Sequence, residues 1–146
     1  MYTQIRLMTK EDKAAVTDMM RTFYASPAVL SNGSEEIFHK DIENCVGNNP
    51  YVEGYIFEDN QHIQGYAMLA KSYSTEYAKA CIWVEDLYVK PEFQGLGIGT
   101  DFLNYIQEIY PEALFRLEVD KENEKAIFVY KKCGYEELPY MEMKKI

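Results

Sequence analysis

Three glycines are spaced two apart in Gln94-Gly95-Leu96-Gly97-Ile98-Gly99-Thr100. The segment lies between an apolar run ending at Val89 and a stripe of Phe102, Leu103, Ile106, Ile109 and Tyr110 at helical spacing. Glycine lets a backbone approach a bulky anion without a Cβ in the way. The first amides of the following helix add partial positive charge at the same place. The chemistry this predicts is the holding of a phosphate. It is not the seat of a nucleotide P-loop, because Thr100 follows Gly99 with no lysine between them. A dinucleotide fingerprint fails as well. Its third glycine would fall at Thr100 when counted from Gly95, and at Phe102 when counted from Gly97.

Two further groups of residues could act near such a seat. Asn123, Ala126 and Tyr130 are spaced three and four apart, so they share one helix face carrying an amide and a phenol. Glu85 and Asp86 interrupt the apolar run Trp83-Val84-Glu85-Asp86-Leu87-Tyr88-Val89. Regular strand alternation puts Glu85 with Trp83, Leu87 and Val89, and Asp86 with Ile82, Val84 and Tyr88. Both faces are apolar. Either carboxylate would be desolvated and held above its ordinary pKa, which suits a base. Alternation does not choose between them.

The elements that position these residues follow from periodicity and turn signals. Residues 3–7 read as a strand. Thr9 and Asp12 form a capping box before a helix over 10–24 with Ala15, Val16, Met19, Met20 and Phe23 as its apolar stripe. Ser34 caps a second helix carrying Ile37, Phe38, Ile42, Cys45 and Val46. A hairpin follows, Tyr51–Glu58 against His62–Tyr73, turning at Asp59-Asn60. Residues 74–80 read as a loop and Cys81–Val89 as a strand, stopped by Lys90-Pro91. The loop, its helix, a strand over Leu114–Val119 and a helix over 121–133 closed by Gly134 complete the order. Met141–Ile146, with Tyr135–Leu138, is expected to finish the sheet. The class is α/β or α+β: one domain, 1–146, with a mixed, mostly antiparallel twisted sheet flanked by about four helices.

Composition narrows the partners. The chain has 146 residues and a net charge of −9, which repels phosphate backbones and makes nucleic acid a poor partner. The same charge tilts the reading toward cationic small molecules. No apolar run approaches the ~20 residues of a membrane span, and no signal peptide is read at the start, so the cytoplasm is the expected location. Cys45, Cys81 and Cys133 have no metal-ligand spacing, and His39 and His62 lie in no metal motif. No metal is expected.

With these residues in view, the chain resembles the GNAT superfamily of N-acetyltransferases. Its signature of Gln or Arg, two residues, Gly, one residue, then Gly or Ala is matched by Gln94-Gly95-Leu96-Gly97-Ile98-Gly99. A second signature is matched by Asn123, Ala126, Tyr130 and Gly134-Tyr135. The element order fits throughout. The resemblance implies acetyl-CoA as co-substrate, with Gln94 to Thr100 holding its pyrophosphate. It implies that Leu87, Tyr88 and Val89 bind the pantetheine arm through backbone groups and that Asn123 bonds the same arm.

The resemblance also assigns the chemistry. A primary amine is protonated near neutrality, with a pKa of about 10.4, and must lose a proton before it attacks a thioester. Related polyamine acetyltransferases carry a similar acidic pair whose first member is the proposed base, which points to Glu85. A bulge in this strand, usual in the family, would bring Asp86 forward instead. Tyr130 is the acid for the leaving thiolate by the same analogy. Backbone N–H groups near Leu87 to Val89 would hold the developing oxyanion. The acceptor is a small-molecule amine or a peptide or protein amine. Tyr24, Glu35, Glu36, His39 and Tyr73 fall where the family binds it, but none is assigned. A homodimer is expected by analogy. The alternative reading is a non-catalytic acyl-CoA-binding or sensing module.

Overall fold

The computed structural model describes residues 3–146. Strand β1 (Gln4–Leu7) leads through one 3-10 turn (Lys10–Asp12) into α1 (Lys13–Tyr24) and α2 (Glu35–Val46). Then come β2 (Val52–Glu58), β3 (Ile63–Ser74) and β4 (Lys79–Val89). A 3-10 turn (Pro91–Phe93) leads to α3 (Ile98–Ile109), β5 (Leu114–Leu117) and α4 (Glu124–Lys132). The expected caps are present. The Thr9 N–H donates to Asp12 Oδ2 at 2.8 Å, and the Ile37 N–H donates to Ser34 Oγ at 3.2 Å. Gly134 ends α4 at φ +95°.

The five strands lie in chain order, β1-β2-β3-β4-β5. The first four form an antiparallel meander, and β5 runs parallel to β4. A parallel neighbour needs a crossover, which α3 supplies. The sheet is therefore mixed and mostly antiparallel, as the pattern of elements predicts.

Each face of the sheet has its own core. On one, Val16, Met19 and Met20 of α1 and Phe38 and Ile42 of α2 pack on Ile56, Tyr66 and Met68. On the other, Ile98, Phe102, Leu103 and Ile106 of α3 pack on Tyr55, Phe57, Ala67, Leu69, Ile82 and Val84. Val129 and Tyr130 of α4 join that second core. Fully burying a side chain such as Phe102 contributes ~1.5–3 kcal/mol. The two apolar stripes thus hold the helices on opposite sides and leave the C-terminal half of β4 between them.

Two expectations need correction. The segment after α4 forms no strand, and Met141, Met143 and Ile146 are exposed. Pro139 offers no ladder N–H, and Lys144-Lys145 breaks the alternation begun by Met141 and Met143. The Tyr135 N–H donates to the Tyr130 carbonyl at 3.0 Å, and further on the Tyr140 hydroxyl donates to Glu76. The loop expected over 74–80 is shorter, because β3 continues to Ser74 and β4 starts at Lys79.

Among the described residues, no helix is long and apolar enough to cross a membrane. No cluster of His, Cys, Asp or Glu there has the geometry to hold a metal ion.

Candidate active site

The glycine loop runs directly into the first turn of α3. Gly95 and Gly97 both have positive φ, +80° and +84°, where a side chain is strained. A Cβ at Gly95, Gly97 or Gly99 would meet nothing within 4 Å, so the loop's outer side is open. Gly97 is the N-cap of α3. Helix α3 starts at Ile98, so Ile98, Gly99 and Thr100 belong to its first turn and their amides have no partner inside the helix. Gln94 braces the loop, its side-chain amide donating to the Val89 carbonyl at 3.0 Å.

Strand β4 changes character at Glu85. Its neighbour β3 pairs Met68 with Asp86 but Leu69 with Val84, which leaves Glu85 as the extra residue of a bulge. The bulge corrects the faces expected from alternation. Leu87 and Val89 pack on the same core as Ile82 and Val84, while Tyr88 packs on the opposite one. Beyond the bulge β4 also loses its second neighbour. Strand β5 pairs with it only from Cys81 to Val84, ending at Leu117. From Glu85 to Val89 one edge of the β4 backbone therefore has no strand beside it.

The two carboxylates of the bulge end up in different surroundings. Glu85 is exposed, while Asp86 is buried. Both line a cleft of about 250 Å³ between α1, α2 and the sheet, together with Tyr24, Asp41, Asn44 and Cys45. No cationic side chain lines it. Partial desolvation, reinforced by Asp41 and Glu142, pushes the Glu85 carboxyl above its ordinary pKa. Desolvation also raises Asp41. Asp86 is pushed up to about 6: burial raises it, two phenol hydrogen bonds pull it down, and Asp41 and Glu85 raise it further. Glu118, beside the Glu142 carboxyl just past β5, is raised as well.

Tyr130 is half-buried against the α3 core, its ring 6.2 Å from that of Tyr135. Burial alone raises its pKa, so its phenol stays protonated. Leu87, Val89 and Tyr130 share one core, while the carboxylates open on the other side of β4. Asn123 is the N-cap of α4, its Oδ1 accepting from the Ala126 N–H at 3.3 Å. That local role adds to the one implied by resemblance.

Sequence reasoning missed Asp41, Asn44 and Cys45 as cleft residues. Their i, i+3, i+4 spacing flanks the apolar stripe of α2, and that was the available signal. Of the residues it considered without assigning, Tyr24 lines the cleft. Glu35 instead pairs with Arg21 at 2.7 Å, and Tyr73 is exposed.

Comparison with known proteins bears on this arrangement. Residues 15–135 match the family model described as "Acetyltransferase (GNAT) family". The thialysine N-epsilon-acetyltransferase of Sus scrofa is 37% identical over 116 residues, covering 72% of this chain and 66% of that protein, just under two thirds of it. The protein of the same name from Mus musculus is 30% identical over 150 residues, covering 93% of this chain and 85% of that one. Among solved structures, a possible acetyltransferase from Clostridium difficile 630 superposes with a TM-score of 0.85 at 17% identity. That match covers 100% of this chain and 98% of the other, and it concerns the fold alone.

Proposed function

The chain belongs to the acetyltransferase (GNAT) family, whose co-substrate is acetyl-CoA, and on that premise we propose that it moves the acetyl group directly to a small primary amine held in the acidic cleft. The observation that carries this reading is the bulge at Glu85. It turns carboxylates toward a cation-free cleft at the point where β4 loses its neighbour β5. A cleft lined by Asp41, Glu85 and Asp86 favours a cationic guest. The relatives named for an ε-amine substrate support the same class of acceptor.

The donor supplies an activated thioester, and this chain's residues do the rest. The amides of Ile98 to Thr100, with the loop from Gln94 to Gly97, hold the diphosphate. The open edge from Leu87 to Val89 takes the pantetheine arm, Asn123 lies along it, and N–H groups there face the carbonyl oxygen on which charge builds. Glu85 accepts the ammonium proton, directly or through water. The amine lone pair forms the new C–N bond as the C–S bond breaks. Tyr130 gives its proton to the departing sulfur and is reprotonated, through water, by the second proton that the acylated nitrogen sheds. The balance is one ammonium and one thioester giving one amide, one thiol and one proton. Fixing the two reactants side by side supplies much of the rate.

Thiol release from acetyl-CoA, followed over a panel of primary amines, tests the reading. A thermal-shift series runs beside it, since a ligand of the folded state raises its stability. Acetyl-CoA should raise the melting temperature, NAD should not, and at least one amine should trigger thiol release. A shift with acetyl-CoA but no release with any amine would make the chain a binding module.

A further inference from the structure

We propose that Asp86 is a positioning residue, which locks the Tyr24 hydroxyl as a hydrogen-bond acceptor that orients the incoming amine. This inference rests on the acetyl-transfer reading but concerns a group that reading leaves unused. Asp86 sits between two phenols. The Tyr24 hydroxyl donates to Oδ1 at 3.0 Å, and the Tyr66 hydroxyl donates to Oδ2 at 2.7 Å. Asp86 is 4% exposed and Tyr66 fully buried, so Tyr66 does not reach solvent. Tyr24 and Asp86 both line the cleft.

A phenol has one proton. Tyr24 spends its proton on Asp86, so what it turns to the cleft is lone pairs. That matters for a nucleophilic amine. Its lone pair must point at the thioester carbonyl, and its N–H groups need acceptors. A hydroxyl free to rotate could donate to the amine nitrogen and occupy that lone pair. A hydroxyl tied to a carboxylate can only accept. The same ties argue against Asp86 as the base, because each of its oxygens already accepts a proton from a phenol. Asp86 must be ionised to hold both phenols. The groups that face it are Tyr24 of α1, Asp41 and Cys45 of α2, Tyr66 of β3 and Glu85 of β4.

Replacing Asp86 with Asn makes a distinctive prediction. The amide has one acceptor oxygen. The buried Tyr66 hydroxyl keeps that oxygen, since leaving it unpaired is the costlier choice. The amide NH₂ then faces Tyr24, which accepts from it and swings its own proton into the cleft. The variant therefore presents a donor where the parent presents an acceptor.

The test uses the parent, Tyr24→Phe, Asp86→Asn and the double variant. Thialysine is the amine, and kcat/KM is measured from pH 5 to 9. The same proteins are titrated with thialysine in the presence of CoA, which reads amine binding without turnover. Acetyl-CoA affinity should be unchanged in all four. Tyr24→Phe should lower kcat/KM about tenfold, the cost of one lost hydrogen bond. Asp86→Asn should lower it further, and adding Tyr24→Phe should restore the double variant to the level of Tyr24→Phe alone. A base role predicts no such rescue, and a purely structural role predicts a double variant no more active than Asp86→Asn alone, because bonded neighbours lose their shared interaction once and do not regain it. Either pattern overturns the proposal. If Asp86→Asn does not fold, Tyr24→Phe decides alone, and a loss under twofold in both kcat/KM and thialysine binding overturns it. A parent active with no amine refutes the acetyl-transfer reading instead.

Discussion

The proposed donor seat and the proposed acceptor cleft are built in opposite ways. The donor seat is backbone, contiguous from Gln94 to Thr100 and backed by the first turn of α3. The cleft is side chains, drawn from α1, α2, β2, β3 and β4. The first needs only local geometry: two residues at positive φ and a helix start. The second needs the whole fold to be in register. A backbone seat recognises what any donor of its kind shares, and a side-chain cleft can change its guest by substitution. A common donor with varied acceptors follows from that division.

Substitutions can break the comparison on either side. The largest effect is expected where the two sides meet. Tyr130→Phe should lower kcat by ~10²–10⁴, the range of general acid catalysis, with acetyl-CoA affinity unchanged in a direct titration. Activity equal to the parent would remove Tyr130 from the chemistry. Glu85→Gln should cost about 10² in kcat/KM. It should also flatten the rise of rate with pH, because a carboxylate base works only above its own pKa, which here lies above the ordinary glutamate range. A profile of unchanged shape would leave the proton to water. On the donor side, Gly97→Ala forces an alanine into φ +84°. That costs ~1–2 kcal/mol and should weaken acetyl-CoA binding about tenfold while leaving amine binding intact.

The smallest effect is on stability. Asp86 holds its proton more tightly in the fold than in the unfolded chain, with a folded pKa of about 6. Ionising it opposes folding. Stability should therefore rise by about 1 kcal/mol as pH falls from 7 to 5. Asp41 and Glu85 are raised too and act in the same direction. Asp12 acts oppositely, because the Arg6 guanidinium bound to it lowers its pKa. Its contribution is complete above the unfolded aspartate value near 3.9 and is lost as pH falls through its lower folded value. Urea denaturation at pH 7 and pH 5 should show the higher stability at pH 5, before Asp12 begins to lose its contribution. A steady decline from pH 7 to 5 would contradict the burial of an ionised Asp86.

The legibility of the chain follows the same division. Helix starts such as Ser34, the hairpin turn after Glu58 and the glycine loop are local signals, and they stand where the sequence puts them. The bulge at Glu85 is not local. It is defined by which residues of β3 lie opposite, Met68 and Leu69, and no property of residues 81–89 alone fixes that register. Strict alternation therefore misplaced Leu87 and Val89. Tyr24, Asp41 and Asp86 meet only because α1, α2 and β4 pack together, so apart from the spacing within α2 the cleft had no signature along the chain. Met141 and Met143 show the converse: a two-residue period that leads to no pairing.

The early end of β5 has a further consequence. It leaves one side of the β4 main chain, a slot in the hydrogen-bonding pattern from Glu85 to Val89, without a paired strand. A thin chain-like molecule bearing amide groups can lie there as a surrogate sixth strand, gripped by main-chain polar atoms whatever residues occupy those positions. The letters at Leu87, Tyr88 and Val89 then answer to the interior they pack against, not to the molecule in the slot, and evolution can rewrite them without forfeiting the grip.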